Sequence, residues 1–158
     1  MKRILFFSLI LSAALVSCQE SGPASGTAQS SFDYTGYEIN DVPGTAFQKA
    51  VKKDAATGRV LEEGYLLNGL RSGIWITYHP QGLGGRRIQS MTHYIEDKVD
   101  GIMLKANQQN RIDEQLYYTQ NKLDGPVLKY NLGRLQEESN YKDGQLHGPY
   151  RKYLGLEK

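Results

Sequence analysis

Tyr141-Lys142-Asp143-Gly144-Gln145-Leu146-His147-Gly148-Pro149-Tyr150-Arg151-Lys152-Tyr153 closes the repeat region and decides the fold, because it is the last copy of a recurring unit. Its frame is Tyr, a turn-forming residue three positions on, Gly four further, and Tyr five further. Tracing that frame backwards fills the sequence from about residue 58, and repeats of this length signal a stack of similar structural units. The glycines Gly73, Gly101, Gly125 and Gly148 are separated by 28, 24 and 23 residues. Four residues before them stand Gly69, Asp97, Asn121 and Gly144, all types that adopt turn or left-handed backbone cheaply. Three residues earlier come Leu66, Tyr94, Tyr118 and Tyr141. Five residues after the glycines come Tyr78, Ala106, Tyr130 and Tyr153, with Ala106 the one departure.

A second frame runs between the copies. Gly58-Arg59-Val60, Arg86-Arg87-Ile88, Asn110-Arg111-Ile112 and Gly133-Arg134-Leu135 each begin eleven residues before the first turn position of their unit. Glu62, Glu114 and Glu137 follow at one offset, with Ser90 in the remaining copy. The longest interval carries a turn-rich insertion, His79-Pro80-Gln81-Gly82-Leu83-Gly84-Gly85. Between turns lie short runs rich in Tyr, Ile, Leu, Val and Trp, the residues that suit strands, and no window holds a helical period. Asn68-Gly69 and Asp143-Gly144 are hairpin dipeptides. The sequence therefore predicts an all-β chain with repeat turns at Gly69, Gly73, Asp97, Gly101, Asn121, Gly125, Gly144 and Gly148. Side chains alternate across a strand, so Ile76 and Trp75 point to opposite faces. We assign Ile76, Tyr78, Leu104, Leu128, Tyr130 and Tyr153 to the core face. Trp75, Met103, Val127 and Tyr150 then form an exposed binding strip beside Thr77, Lys105, Lys129 and Lys152.

The units Gly69 to Tyr78 (Gly-x-x-x-Gly-x-Trp-x-x-Tyr) and Asp143 to Tyr150 resemble MORN-type repeats, in the bacterial variant found in small lipoproteins and in proteins described as antitoxins of toxin–antitoxin systems. The resemblance covers about residues 58–155. It implies an elongated antiparallel meander of repeated β-hairpins that serves as an interaction scaffold.

The N-terminus has a different character. Met1-Lys2-Arg3 is basic, Ile4 to Val16 is uncharged and apolar, and Leu15-Val16-Ser17-Cys18 ends the run. This is the layout of a secretory signal, shorter than the roughly 20 apolar residues of a spanning helix. Leu-Val-Ser-Cys resembles a bacterial lipobox, which implies that residues 1–17 are removed and that Cys18 is acylated. Cys18 is the sole cysteine, so the chain forms no internal disulfide. Residues 18–45 are expected as a lipidated, flexible linker, with Phe32, Tyr34 and Tyr37 either docked or loose, and residues 46–158 as the repeat domain. Gln19, rather than Asp, after the lipidated position points by resemblance to the outer membrane.

Charge and chemistry narrow the function further. Loss of residues 1–17 takes two basic residues and no acid with it, leaving 17 of each sign. That balance argues against a nucleic-acid partner, which requires a basic footprint. His79, His93 and His147 share no metal-ligand spacing, and no Gly-x-Ser-x-Gly elbow occurs. The Glu62, Glu114 and Glu137 row reads as cross-strand pairing with Lys or Arg rather than as acid–base chemistry. The expectation is a non-enzymatic protein without cofactor or metal, held in the cell envelope through acylated Cys18. Its repeat face would bind another protein or an envelope polymer. An antitoxin or immunity-like role, neutralising a toxin by binding, is the alternative implied by the resemblance, and a glycan-binding or enzymatic envelope role comes third.

Overall fold

The computed structural model describes residues 30–80 and 85–153, and Cys18 with the signal segment lies outside them. The described residues form one open antiparallel sheet of eleven strands in chain order, without a helix. These are β1 (Tyr37–Asp41), β2 (Phe47–Lys53), β3 (Val60–Leu67), β4 (Leu70–Tyr78), β5 (Ile88–Ile95), β6 (Lys98–Ala106), β7 (Ile112–Thr119), β8 (Lys122–Asn131), β9 (Arg134–Lys142), β10 (Gln145–Leu146) and β11 (Arg151–Lys152). Each strand from β1 to β8 pairs with the next, and β10 and β11 both pair with β9. The all-β meander of hairpins expected from the repeat is what the chain builds.

The sheet starts earlier than residue 46. β1 lies within the stretch expected to be linker and pairs with β2 over its whole length, with Ile39 opposite Ala50. The connection turns through Gly44 at φ +75°, with the Val42 amide donating to the Phe47 carbonyl at 2.9 Å. β1 therefore joins the sheet, and the folded part reaches back into the expected linker.

Five connections are two-residue hairpins with positive φ at both central positions: Asn68-Gly69, Glu96-Asp97, Gln120-Asn121, Leu132-Gly133 and Asp143-Gly144. This is the type I′ geometry whose twist matches that of paired strands. The first turn position of each repeat, at Gly69, Asp97, Asn121 and Gly144, is thus a turn as expected.

The second glycine of each repeat is not a hairpin turn. Gly73, Gly101 and Gly125 sit inside β4, β6 and β8, and Gly148 sits between β10 and β11. Their φ values are +75°, +105°, +124° and +91°, in the region that favours glycine. Each of the first three marks a bulge. Gly64 faces residues 73–75, His93 faces 100–102, and Tyr117 faces 124–126. A bulge bends its strand and unpairs local backbone groups, and the next hairpin takes up backbone groups beside it. The amides of Asp97, Asn121 and Gly144 donate to the carbonyls of Arg71, Val99 and Leu123 at 3.1, 2.8 and 2.8 Å. In return, the Asp97 and Asn121 side chains accept the Arg71 and Val99 amides at 2.8 and 2.7 Å. The turn residue thereby locks one hairpin to its predecessor, which accounts for Asp and Asn at those two positions.

Register assigns the faces. Trp75, Thr92, Met103, Leu116, Val127 and Ser139 lie opposite one another in succession, with Ala50 and Gly64 continuing the row on the N-terminal side. All but Met103 are buried. Ile76, Met91, Leu104, Gln115, Leu128 and Glu138 form the adjacent row on the other face, and all are only partly buried.

Candidate interaction faces

The faces are inverted relative to the sequence expectation. Trp75 is 2% exposed and Val127 6%, so the row expected as a binding strip is the core. Ile76, Leu104 and Leu128, expected as core, are only half-buried on the opposite side, where Tyr78 alone of that expected row is buried. The alternation is legible in the sequence, and both rows hold together across the hairpins as expected; which of the two faces is covered is not legible. By register Tyr94, Tyr118 and Tyr141 share the Trp75 side, whereas Tyr78 and Tyr153 reach carboxylates of the other side, Glu63 and Glu138. The two tyrosine frames cover opposite faces. Tyr150 remains exposed just before β11.

Trp75 is enclosed from two directions. Against one side of the ring lies Gly64, where a Cβ would stand 2.3 Å from the indole, so only glycine leaves room. Against the other lies a strap made by residues 30–37. The Phe32 and Tyr37 rings meet the indole edge-on, at centroid distances of 5.9 and 6.1 Å, and Tyr94 completes the cage at 6.3 Å. Such edge-to-face contacts add stability beyond area burial. The indole Nε1 donates to the Tyr65 carbonyl at 3.1 Å.

Arg71 ties the strap to the sheet. Its guanidinium lies 4.1 Å from the Phe32 ring centre and 4.0 Å from that of Tyr94, a double cation–π arrangement. Its Nε donates to Asp97 Oδ1 at 3.1 Å, and Ser30 Oγ donates to Asp97 Oδ2. Burial acts to raise the Asp97 carboxyl, but hydrogen bonds from Ser30 and Arg71, with the guanidinium charge, outweigh it and hold the group below the ordinary carboxylate range. Tyr34 Oη donates to the Gly69 carbonyl at 3.3 Å. Tyr37 Oη donates to Glu62 at 2.6 Å, and burial together with that carboxylate pushes the phenol well above its ordinary value. Of the sequence signals, only the aromatic density of residues 32–37 marks this strap. The parts played by Ser30, Arg71 and Gly64 emerge only from the register.

The opposite, open face carries further apolar groups beside Ile76 and Leu104. Ile74 lies opposite His93 and Ile102 opposite Tyr117, and Ile74, Ile102, Tyr65 and Phe47 are all exposed. Lys49, Glu63, Tyr65, Ile74 and Ile76 line one shallow depression of this face. Glu63 organises its polar side, accepting from Tyr78 at 2.6 Å and pairing with Lys49 and Arg86, each at 3.0 Å. The Tyr78 hydrogen bond, aided by the two cations, holds the Glu63 carboxyl low against the effect of burial. The open face is thus an aliphatic and aromatic surface with a charged border.

The remaining candidates resolve into structure. Glu114 pairs with Lys105 at 2.8 Å and Glu137 with Lys129 at 3.3 Å, both directly across neighbouring strands. Glu62 departs from that pattern by accepting from Tyr37. His79 and His93 contact the carbonyls of Ala106 and Asp100 through ring nitrogens. Among the described residues, no group of three or more His, Cys, Asp or Glu is placed to hold a metal ion. No family model, curated protein or solved structure matches this chain.

Proposed function

We propose that the chain is a lipid-anchored, non-catalytic scaffold of the cell envelope. In this reading acylated Cys18 holds it at a membrane, the outer one in a bacterium with two, and its repeat sheet engages another protein. The observation that supports it is the open face, where Tyr65, Ile74 and Ile102 stand exposed along successive hairpins with no overlayer among the described residues. Contiguous exposed apolar surface on a folded protein marks an interaction site. Its relief is shallow, which suits a protein surface better than the deep pocket of a small ligand. The MORN-like repeat pattern agrees with a scaffold role.

The test crosslinks the full acylated chain in intact envelopes and compares it with an Ile74→Lys, Ile102→Lys double variant. Both side chains are exposed, so folding should persist while partner capture falls by at least about tenfold, the loss expected for centrally placed anchors. Unchanged capture would reject this face as the binding surface. Capture of a small toxic protein would move the role toward the antitoxin-like alternative. Acyl labelling that persists in Cys18→Ser would remove the anchor from the reading.

A further inference from the structure

The two ends of the sheet present edges of opposite charge. Among the described residues, β1 pairs on one side only, with β2, and β10 with β11 on one side only, with β9. An open edge offers a row of backbone donors and acceptors to any strand that fits. β1 supplies Glu38 and Asp41, and no Lys or Arg occurs from residue 19 to residue 48. β11 is Arg151-Lys152. Glu38 pairs with Lys53 and Arg151 with Glu138, but both edge side chains stay more than half exposed, so each can still meet a partner's charge. Exposed apolar groups accompany each edge: Ile39 at 40%, and Tyr150 and Tyr153 at 54% and 40%.

Direction and face agree as well. Every neighbouring pair of strands is antiparallel, so β1 and β9 run the same way while β11 runs opposite to both. A β11 strand set against β1 of a second copy therefore continues the antiparallel alternation unbroken. On β11, Tyr153 donates its amide inward to Gln136, which turns the backbone groups of Lys152 outward. On β1, Val42 donates inward to Phe47, which by the same alternation turns those of Ile39 and Asp41 outward. Lys152 stands on the Trp75 face with its β9 partner Glu137, and Ile39 stands on that face with its partner Ala50. A register that pairs the outward groups also matches the faces.

We propose that the chain associates with itself head to tail, β11 of one copy adding to β1 of the next. Like edges repel, acid against acid or base against base, so a two-fold dimer is disfavoured and the unlike pairing is selected. A head-to-tail contact that does not close into a ring propagates as an open ribbon. The sheet already adds one hairpin per repeat, and assembly adds one molecule per step by the same backbone pairing. Nothing in this assembly depends on the open face or on Cys18.

The experiment is sedimentation velocity of the full chain in mild detergent over a wide concentration range, at low and raised salt. The expected result is an average mass that climbs past the dimer with concentration and falls as salt screens the edges. Glu38→Lys with Asp41→Lys should weaken association by about tenfold or more, and so should Arg151→Glu with Lys152→Glu. Combining all four substitutions in one chain reverses both edges and should restore association, an outcome that loss of folding cannot produce. A monomer at every concentration overturns the proposal. So does association that stops at a dimer, ignores both charge reversals, or fails to return in the combined variant while its circular dichroism matches the parent.

Discussion

The first hairpins and the last hairpins share one repeat, yet they are buried by different means. Around β2 to β4, Ala50, Leu66 and Trp75 are at most 2% exposed, and the strap residues Tyr34 and Tyr37 pack against that cluster while Phe32 meets the indole. Around β7 to β9, Leu116, Val127 and Ser139 reach 6–8% without any such overlayer among the described residues. There burial comes from in-sheet neighbours alone. A single sheet has little depth, so small and medium side chains can be covered by adjacent strands, whereas an indole requires a second layer. The N-terminal end supplies that layer, together with the space left by Gly64. The repeat sets the sheet, while the non-repeating residues 30–37 make a core.

The sharpest break of that contrast is Trp75→Ala. Deleting a caged indole should cost about 3–5 kcal/mol, against roughly 2 kcal/mol for Leu116→Ala, at the low end of the range for a thinly covered site. Chemical denaturation of the two variants measures the difference. Equal losses would show that the strap contributes nothing beyond the sheet.

Gly64→Ala attacks the same core from its other side. A methyl group 2.3 Å from the indole displaces Trp75, with an expected cost of about 1–3 kcal/mol from overpacking. Trp75 emission should shift to the red as the ring gains access to water. Gly133→Ala, with nothing within 4 Å of its Cβ, tests the backbone alone, since its φ is +78°. It should cost about 1 kcal/mol and leave the emission unmoved.

Asp97 gives the contrast a pH axis. Its carboxyl is held low in the folded protein, so its ionised form contributes stability that is complete above the unfolded value of about 3.9. That contribution is lost as the pH falls through the lower folded value. On acidification below about pH 4, the strap should loosen and Trp75 emission redden before the sheet signal in circular dichroism disappears. Asp97→Asn removes the charge opposite Arg71 and should cost roughly 1–3 kcal/mol at neutral pH. In that variant the acid step in the emission should be absent; its persistence would assign the step to another carboxylate.

The meander is legible in the sequence because turn chemistry and strand spacing are local, and both recur in every copy. Gly69, Asp97, Asn121 and Gly144 are legible as turns for the same reason. Gly73, Gly101 and Gly125 are not legible as bulges, since a turn and a bulge both ask for positive φ and only strand pairing separates them. The two rows are legible, since Trp75, Met103 and Val127 share one face and Ile76, Leu104 and Leu128 the other, as their common offsets imply. Which face is covered is not, because the strap over Trp75 comes from residues outside the repeat. The strap is half legible: Phe32, Tyr34 and Tyr37 stand out in a polar stretch, whereas Arg71 and Asp97 lie 39 and 65 residues beyond Phe32. Contacts of that separation leave no local signature.

The smallest expected effect belongs to Tyr150→Ala. Register puts Tyr150 on the same face as Trp75, since its neighbour Arg151 lies opposite Glu138 on the open face. The two aromatics nonetheless stand at opposite ends of the burial scale, 54% exposed against 2%. Tyr150 stands on the last, interrupted strand, where β10 and β11 supply two residues each, and among the described residues it has a neighbouring strand, β9, on one side only. With so little packed against the ring, its removal should leave the unfolding midpoint unchanged within measurement, as for most exposed positions. A midpoint lowered by several degrees would mean that the C-terminal hairpins possess a covering layer of their own, and the two ends of the sheet would then be built alike.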